Sequence, residues 1–166
     1  MIIRPIKDNE SSYLYDFTKT AFSTAFVSDG NEQDYASSCR QSDNYIKELE
    51  YVAEENGVIV GDVMLSKFKV DNLNALLLNI VCVDVNFRNR GLGSSLIGVA
   101  LFKATELGYD SVFLAGDPKL YARLGFKPTI DFNLKNINGY DDRYILCKEL
   151  KQGALANAQG TFDFAI

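Results

Sequence analysis

The feature that most constrains the fold is a long apolar segment, Leu73–Val85, that ends in a short polar turn with glycines. The segment is rich enough in Leu, Ile and Val to predict a central strand that is buried on both faces. After the turn, apolar residues recur at helical spacing until Gly108, which stands in the usual position for a helix end. A buried strand, a glycine turn and a helix in this order indicate an α/β architecture.

Apolar periodicity and turn residues predict the other elements. Asn56-Gly57 is a strong hairpin signal between two strands. The remaining segments are a strand at Met1–Ile6, helices at Glu10–Phe26 and Gln33–Glu48, hairpin strands at Tyr51–Ala53 and Val58–Lys67, a strand at Ser111–Ala115, a short helix at Pro118–Leu124 and a strand at Arg143–Leu150. With a further strand after Gly125-Phe126, the order is β-α-α-β-β-β-α-β-α-β-β. We therefore expect an α/β (α+β) fold with a mixed central sheet flanked by helices.

The connection between two of these strands predicts how they pair. A right-handed crossover through the central helix would place the Ser111–Ala115 strand beside Leu77–Val85 and parallel to it. In open α/β sheets, ligands bind at the carboxyl ends of such strands. We therefore expect the glycine turn to lie at a ligand-binding edge.

Length, charge and hydropathy exclude several classes of protein. The chain has 166 residues without a repeat or a linker, so we expect a single domain over residues 1–166. Its net charge of −5 disfavours a nucleic-acid partner, which would need a basic surface. The apolar runs are too short to span a membrane, and the first residues lack a signal sequence. We expect a cytoplasmic protein with no membrane partner.

The types of side chain available limit the chemistry. The chain contains no histidine, and its cysteines, Cys39, Cys82 and Cys147, stand far apart. A zinc site of Cys and His is therefore not expected, and no metal is predicted. Catalytic pairs of Ser or Cys with His are excluded as well. Proton transfer must use a carboxylate, a tyrosine, a lysine, a chain terminus or water, and we interpret the cysteines as buried structural thiols.

The turn Arg88–Ser94 is the strongest candidate for a ligand site. Free backbone N–H groups and the dipole of the following helix favour an anion at this point. Gly91 and Gly93 let a phosphate approach the backbone, and Arg88 and Arg90 can add charge at the rim. The turn lacks the Lys-Ser/Thr ending of a Walker A loop and the third glycine of the dinucleotide fingerprint. It predicts a diphosphate cradle of another type, with a plain tight turn as the alternative.

A second motif lies one helix and one strand further on, at Tyr121-Ala122-Arg123-Leu124-Gly125-Phe126. Together with the segment Val81–Gly93, it resembles the acetyl-CoA-binding core of the GNAT superfamily of N-acyltransferases. The phosphate motif of that family is Arg/Gln-x-x-Gly-x-Gly/Ala, and Arg88, Gly91 and Gly93 match it. The similarity is strongest over a core of about residues 76–128, and the order of the flanking elements is also similar to the family's.

The resemblance implies acetyl-CoA (coenzyme A) as the co-substrate. In the family, the pantetheine arm pairs with exposed backbone of the central strand, which here belongs to Val81, Cys82 and Val83. Tyr121 matches the tyrosine that can protonate the leaving thiolate. The diphosphate would bind the backbone N–H groups of Arg88, Asn89, Arg90, Gly91, Leu92, Gly93 and Ser94.

The general base is not implied by the resemblance, because the sequence departs from the family here. Many members carry a Glu near Asn79, and an asparagine cannot act as a base. Another departure, Leu114-Ala115-Gly116-Asp117-Pro118, resembles the corresponding turn of a bacterial subgroup. The candidates for the base are Asp62, on the strand beside the central one, and Glu32, between the first two helices. For each, a solvated carboxylate or a helix cap is the alternative, and a water relay could replace both.

The expected function is transfer of an acetyl group from acetyl-CoA to a primary amine of a small molecule or peptide. A developing oxyanion would need a donor, which we expect to be a strand N–H near Val81–Val83. The alternative is a non-catalytic acyl-CoA-binding or sensor module on the same fold, supported only by Asn79. A nucleotide-phosphate protein of unrelated fold is a third hypothesis. A homodimer is possible, because the sequence does not determine the oligomeric state.

Overall fold

The structure is a computed structural model and describes residues 1–164. The chain divides into two compact units, each described here by itself. Unit 1 comprises Met1–Ser66 and Leu78–Lys103, and unit 2 comprises Lys67–Leu77 and the chain from Ala104 onward. The prediction of one domain over residues 1–166 stays a prediction.

The described residues form helices and strands. The helices are α1 (Ser11–Ser23), α2 (Glu32–Gln41), α3 (Leu92–Glu106) and α4 (Pro118–Tyr121). The strands are β1 (Ile2–Pro5), β2 (Tyr45–Glu55), β3 (Val58–Val70), β4 (Leu73–Val83), β5 (Ser111–Ala115), β6 (Lys127–Pro128), β7 (Leu134–Asn136), β8 (Ile145–Glu149) and β9 (Gly160–Phe162). The main sheet has the order β1-β2-β3-β4-β5-β8-β6 and is mixed, which confirms the predicted fold class.

Unit 1 is built around the antiparallel strands β1, β2 and β3. The predicted hairpin turn is confirmed, with φ angles of 52° at Asn56 and 80° at Gly57, as in a type I′ turn. An added Cβ at Gly61 would lie 2.8 Å from Cδ1 of Leu96, so β3 needs a glycine where α3 packs. The helix α1 contributes to a buried cluster of Leu14, Phe17, Ala21, Val52, Ile59 and Cys82.

Unit 2 contains the first half of β4, which pairs with β5 in parallel. The pairs are Ala75 with Ser111, Leu76 with Val112, and Leu77 with Phe113. The predicted parallel direction is confirmed, but the pairing lies at Ala75–Leu77 and not along the predicted Leu77–Val85. On its other side, β5 pairs with β8 in antiparallel. The rings of Phe68, Phe113 and Phe162 pack together in the core, with centroids 5.6 to 6.1 Å apart.

The second helix is shorter than the sequence predicts. The expectation of a helix through Glu48 is wrong, because α2 ends at Gln41 and Ser42 is extended, with φ −84° and ψ 157°. Tyr45 instead begins β2 and pairs with Ser66. Long-range sheet pairing therefore outweighs a weak helical pattern here.

The C-terminal part of the chain forms structure that the sequence did not indicate. The strands β7 and β9 pair in parallel as a separate two-stranded sheet. Leu155 and Phe162 are buried in the core of unit 2. Within residues 1–164, no helix has the length and apolar character of a membrane span, and no group of three or more acidic or Cys side chains could hold a metal ion.

Candidate active site

The turn after β4 is shaped by local hydrogen bonds and positive φ angles. The Asp84 carboxylate accepts a hydrogen bond from the Asn86 N–H at 2.8 Å and starts a short 3-10 turn. Asn89 and Gly91 then adopt φ angles of 60° and 80°. These left-handed residues turn the chain from the strand into α3.

The start of α3 leaves backbone donors without helical partners. In the described chain, the first helical hydrogen bond runs from the Ser95 N–H to the Gly91 carbonyl at 3.0 Å. The N–H groups of Leu92, Gly93 and Ser94 therefore have no acceptor within the helix. A helix of this length also places about half a positive charge at its N-terminus.

The space outside this turn is open. An added Cβ at Gly91 would meet no atom within 4 Å, and Asn89, Arg90 and Gly91 are exposed. At Gly93, the nearest atoms are side-chain carbons of Val83 and Val81, at 3.8 and 4.0 Å. Within residues 1–164, no atom lies closer than 3.8 Å to a Cβ added at Gly91 or Gly93, so these two positions leave room for a diphosphate group beside the backbone.

The Arg88 guanidinium binds backbone carbonyls inside the protein, whereas the sequence predicted that it would add charge at the rim of the turn. Its Nε donates to the Val83 carbonyl at 2.9 Å, and its two terminal nitrogens donate to the carbonyls of Thr24 and Ala21 at 2.9 and 2.5 Å. Ala21 and Thr24 lie at the end of α1, where free carbonyls and the helix dipole favour a cation. The Arg88 charge is thus directed inward and joins α1 to β4. Arg90 is exposed and lies over the Phe87 ring, 5.7 Å from its centroid.

Asp62 lies in a buried ion-pair cluster. Arg40 donates to Oδ2 of Asp62 at 3.0 Å and to Oε1 of Glu50 at 2.6 and 2.8 Å, and the Tyr45 hydroxyl donates to Oε2 of Glu50 at 2.6 Å. Both carboxylates are fully buried, and Oδ1 of Asp62 has no hydrogen-bond partner among the described residues. Burial and the neighbouring Glu50 charge raise the pKa of Asp62 to about 8.

Glu32 caps the loop in front of α2. Its carboxylate accepts hydrogen bonds from the Asp29 N–H at 2.7 Å and from the Gly30 N–H at 3.1 Å. Burial by itself raises the pKa of Glu32, but hydrogen bonds from Ser28 and from backbone N–H groups outweigh it, so the pKa is lowered. The Glu32 carboxylate is thus engaged by the loop in front of α2, whereas the N-cap residue of the helix is Asn31.

Tyr121 is held by close packing within unit 2. Its ring meets Phe126 edge to face, with the centroids 5.7 Å apart. An added Cβ at Gly116 would lie 2.5 Å from Cε2 of Tyr121, so the ring occupies the space that a side chain at Gly116 would need. Burial raises the pKa of Tyr121, and its hydroxyl makes no hydrogen bond to another residue in the described part of the chain. It is therefore a protonated phenol at neutral pH.

The predicted residues fall in both units. Val81, Cys82 and Val83 lead along β4 into the turn Arg88–Ser94, and all of these are in unit 1. Asp62 and Glu32 are also in unit 1, in separate surroundings. Tyr121 lies in unit 2.

Sequence reasoning missed a polar contact between α2 and β4. Nδ2 of Asn79 donates to the Tyr35 hydroxyl at 3.1 Å and to Sγ of Cys39 at 3.5 Å. Oδ1 of Asn79 is buried and has no hydrogen-bond partner among the described residues. The signal that could have found this contact is the single amide inside the apolar run Ala75–Val83.

The mixed sheet, whose central strand continues through an open glycine turn into the helix α3, defines an α/β protein. Residues 47–128 match the family model of the acetyltransferase (GNAT) domain. The resemblance to the GNAT superfamily that was inferred from the two motifs is thereby confirmed over this segment. No curated protein matches the sequence.

Solved structures with the same fold are similar over most of the chain. The GNAT family N-acetyltransferase YhbS from Escherichia coli, in complex with CoA, has a TM-score of 0.88 at 23% identity, covering 99% of this chain and 89% of its own. A GNAT family acetyltransferase from Brucella melitensis, in complex with acetyl-CoA, has a TM-score of 0.75 at 22% identity, covering 98% and 92%. The ribosomal-protein-S18-alanine N-acetyltransferase from Escherichia coli has a TM-score of 0.64 at 16% identity, covering 91% and 94%.

Proposed function

We propose that the protein is an acetyl-CoA-dependent N-acetyltransferase that acts on a primary amine of a small molecule or peptide. The observation that carries this proposal is the open turn at Arg88–Ser94, with free N–H groups at the start of α3, inside the segment that matches the GNAT domain. Two of the three similar structures named above contain CoA or acetyl-CoA, which supports the same co-substrate here.

In this proposal, the turn binds the diphosphate through its backbone. The N–H groups of Arg88–Ser94 donate to phosphate oxygens, and the α3 dipole adds a favourable potential. Arg88 contributes its N–H group, while its guanidinium holds the turn in place through Val83 and the end of α1. The binding energy therefore comes mainly from main-chain groups.

The backbone of Val81, Cys82 and Val83 would bind the pantetheine arm. The parallel ladder of β4 with β5 ends at Leu77 and Phe113, before these residues. Main-chain groups at a strand edge can pair with an extended ligand as they would with another strand. The Val83 carbonyl is already bonded to Nε of Arg88, so the arm would pair with the other groups of this stretch. One strand N–H in this stretch would also stabilise negative charge on the acetyl oxygen.

Tyr121 would act as the general acid. The amine nitrogen bonds to the acetyl carbon while the carbon–sulfur bond breaks, and the thiolate takes the proton of the Tyr121 hydroxyl. The phenol suits this role because it is protonated and its hydroxyl is not engaged by a described residue. Water then returns a proton to the tyrosine.

Water, rather than a carboxylate, would accept the proton of the amine. Asp62 is fully buried and bonded to Arg40, and the Glu32 carboxylate is occupied by the N–H groups of its own loop. Neither geometry presents a free base to a substrate. We therefore propose a water relay in place of both candidates.

Thiol release from acetyl-CoA in the presence of a wide amine panel tests the function. We expect amine-dependent turnover, and a fall in kcat of about 10²-fold in Tyr121→Phe with unchanged CoA affinity. Tyr144→Phe is the matched control, because Tyr144 is an exposed tyrosine of the same unit. Tight CoA binding without turnover on any amine would instead favour the acyl-CoA-binding or sensor module.

A further inference from the structure

In the Asn79 side chain, the amide nitrogen makes hydrogen bonds, whereas the carbonyl oxygen makes none to the described residues. Its amide nitrogen is anchored by the Tyr35 hydroxyl and by Sγ of Cys39. Its carbonyl oxygen is buried and accepts no hydrogen bond from the described residues. A buried acceptor without a donor costs free energy, and a ligand with an N–H group would recover it.

The position of Asn79 along β4 places this acceptor near the reaction in the proposed function, on which the present inference rests. Asn79 lies four residues before Val83, which is about 13 Å at roughly 3.3 Å per residue. An arm that leaves the turn and runs back along Val83–Val81 carries its acetyl group toward Asn79. The attacking amine must reach the same place.

The two groups that contact the Asn79 carboxamide are neutral. Burial raises the pKa of Tyr35 and the pKa of Cys39, so both groups that contact it are uncharged at neutral pH. The nearby cation, Arg40, is engaged by Glu50 and Asp62. A neutral carbonyl accepts a hydrogen bond from an uncharged amine, but it does not compensate the charge of a desolvated ammonium.

We propose that Oδ1 of Asn79 receives a hydrogen bond from the attacking nitrogen, that Tyr35 fixes the carboxamide, and that the acceptor is a weakly basic primary amine such as an α-amino group. At pH 7.5, an α-amino group is uncharged in roughly a third of molecules, against about one in 800 for a lysine side chain. An acceptor that offers the amine a neutral carbonyl instead of a carboxylate selects the α-amino group. Asn79 contacts the attacking nitrogen directly, Tyr35 is a positioning residue that acts through Asn79, and the proton of the amine still leaves to water.

Two isomeric lysine derivatives test this selection directly. The methylamide of Nε-acetyllysine has a free α-amino group, and the methylamide of Nα-acetyllysine has a free side-chain amine. At pH 7.5 we expect kcat/KM to be at least 10-fold higher for the α-amino isomer, and a wider series of primary amines to lose rate as basicity increases. Equal rates for both isomers, or a preference for the side-chain amine, would overturn the inference while leaving the acetyltransferase function intact.

Substitutions assign the selection to Asn79. Asn79→Ala should lower kcat/KM for the α-amino isomer at least 10-fold and weaken its binding to the CoA-loaded protein in calorimetry, with CoA affinity unchanged. Asn79→Asp should narrow the preference between the isomers, because a carboxylate stabilises an ammonium. Tyr35→Phe should give a smaller loss than Asn79→Ala. Asn44→Ala, at an exposed position, is the control.

The outcomes separate the two proposals. Wild-type rates in Asn79→Ala, with the preference between isomers retained, would contradict the role of Asn79 alone. Absence of turnover on every amine, despite CoA binding, would overturn the proposed function and this inference together. Loss of CoA affinity in Asn79→Ala would show that Asn79 acts on the cofactor arm instead, and would also overturn the inference.

Discussion

The ring of Tyr121 occupies the space beside Gly116, where an added Cβ would lie 2.5 Å from Cε2 of the tyrosine. A glycine at this position is therefore a condition for the observed ring position. The relationship connects a residue with no side chain to the proposed general acid, and it can be tested without changing the phenol.

Gly116→Ala should displace the Tyr121 ring and lower kcat by at least 10-fold, because a proton donor must be within hydrogen-bond reach of the leaving group. Steady-state thiol release and CoA affinity are the measurements. Gly98→Ala is the control, since its Cβ would meet nothing within 4 Å, and alanine in a helix is favourable by about 0.5–1 kcal/mol. Full activity in Gly116→Ala would contradict the role of the ring position.

Arg88→Gln should destabilise the fold by about 2 kcal/mol, because the carbonyls of Ala21, Thr24 and Val83 lose a charged donor. Urea unfolding measures this change. Arg90→Gln, on an exposed arginine of the same turn, should change stability by less than about 0.5 kcal/mol. If Arg88→Gln weakened CoA binding and left stability unchanged, the guanidinium would act on the ligand at the rim of the turn, as the sequence predicted.

Substitutions of Gly91 and Gly93 distinguish an effect on stability from an effect on CoA binding. Gly91→Ala should cost about 1–2 kcal/mol in unfolding free energy, because its φ of 80° is strained for alanine although the space is open. At Gly93 no positive φ is required, so Gly93→Val should retain stability. Its side chain should nevertheless obstruct the N–H groups and weaken CoA binding at least 10-fold in calorimetry. CoA affinity equal to wild type in Gly93→Val would contradict a diphosphate site at this turn.

The buried Asp62 predicts an unusual pH dependence of stability. Its pKa is raised from an ordinary value of 3.8 to about 8, so the folded state holds a proton that the unfolded state has lost between these values. The free energy of unfolding should therefore fall as the pH rises through this window, and this contribution should level off above about pH 8.

Asp62→Asn isolates that contribution, because an amide of similar shape does not titrate. We expect the loss of stability between pH 5 and pH 8.5 to be smaller in Asp62→Asn than in the wild type, as measured by urea unfolding at both pH values. The same pH dependence in both proteins would show that Asp62 titrates normally in the folded chain.

The central part of the fold could be predicted because its signals are local. The Asn56-Gly57 turn, the long apolar strand and the helix that ends just before Gly108 each depend on residues close in sequence. The parallel partner of β4 followed from the handedness of crossover connections.

The parts that could not be predicted depend on distant contacts. The end of α2 at Gln41 is set by the pairing of Tyr45 with Ser66. The inward direction of Arg88 depends on carbonyls more than sixty residues earlier in the chain. The contact of Asn79 with Tyr35 crosses 44 positions, and no pattern in either segment indicates it alone.

The central claim is that main-chain N–H groups at the start of α3 bind the diphosphate of acetyl-CoA. Titration of the ¹⁵N-labelled protein with CoA, followed by backbone amide resonances, tests it most directly. We predict that the largest shifts fall on Arg88–Ser94 and that Gly93→Val abolishes them. Binding with unshifted resonances in this turn, or no binding at millimolar CoA, would contradict the account.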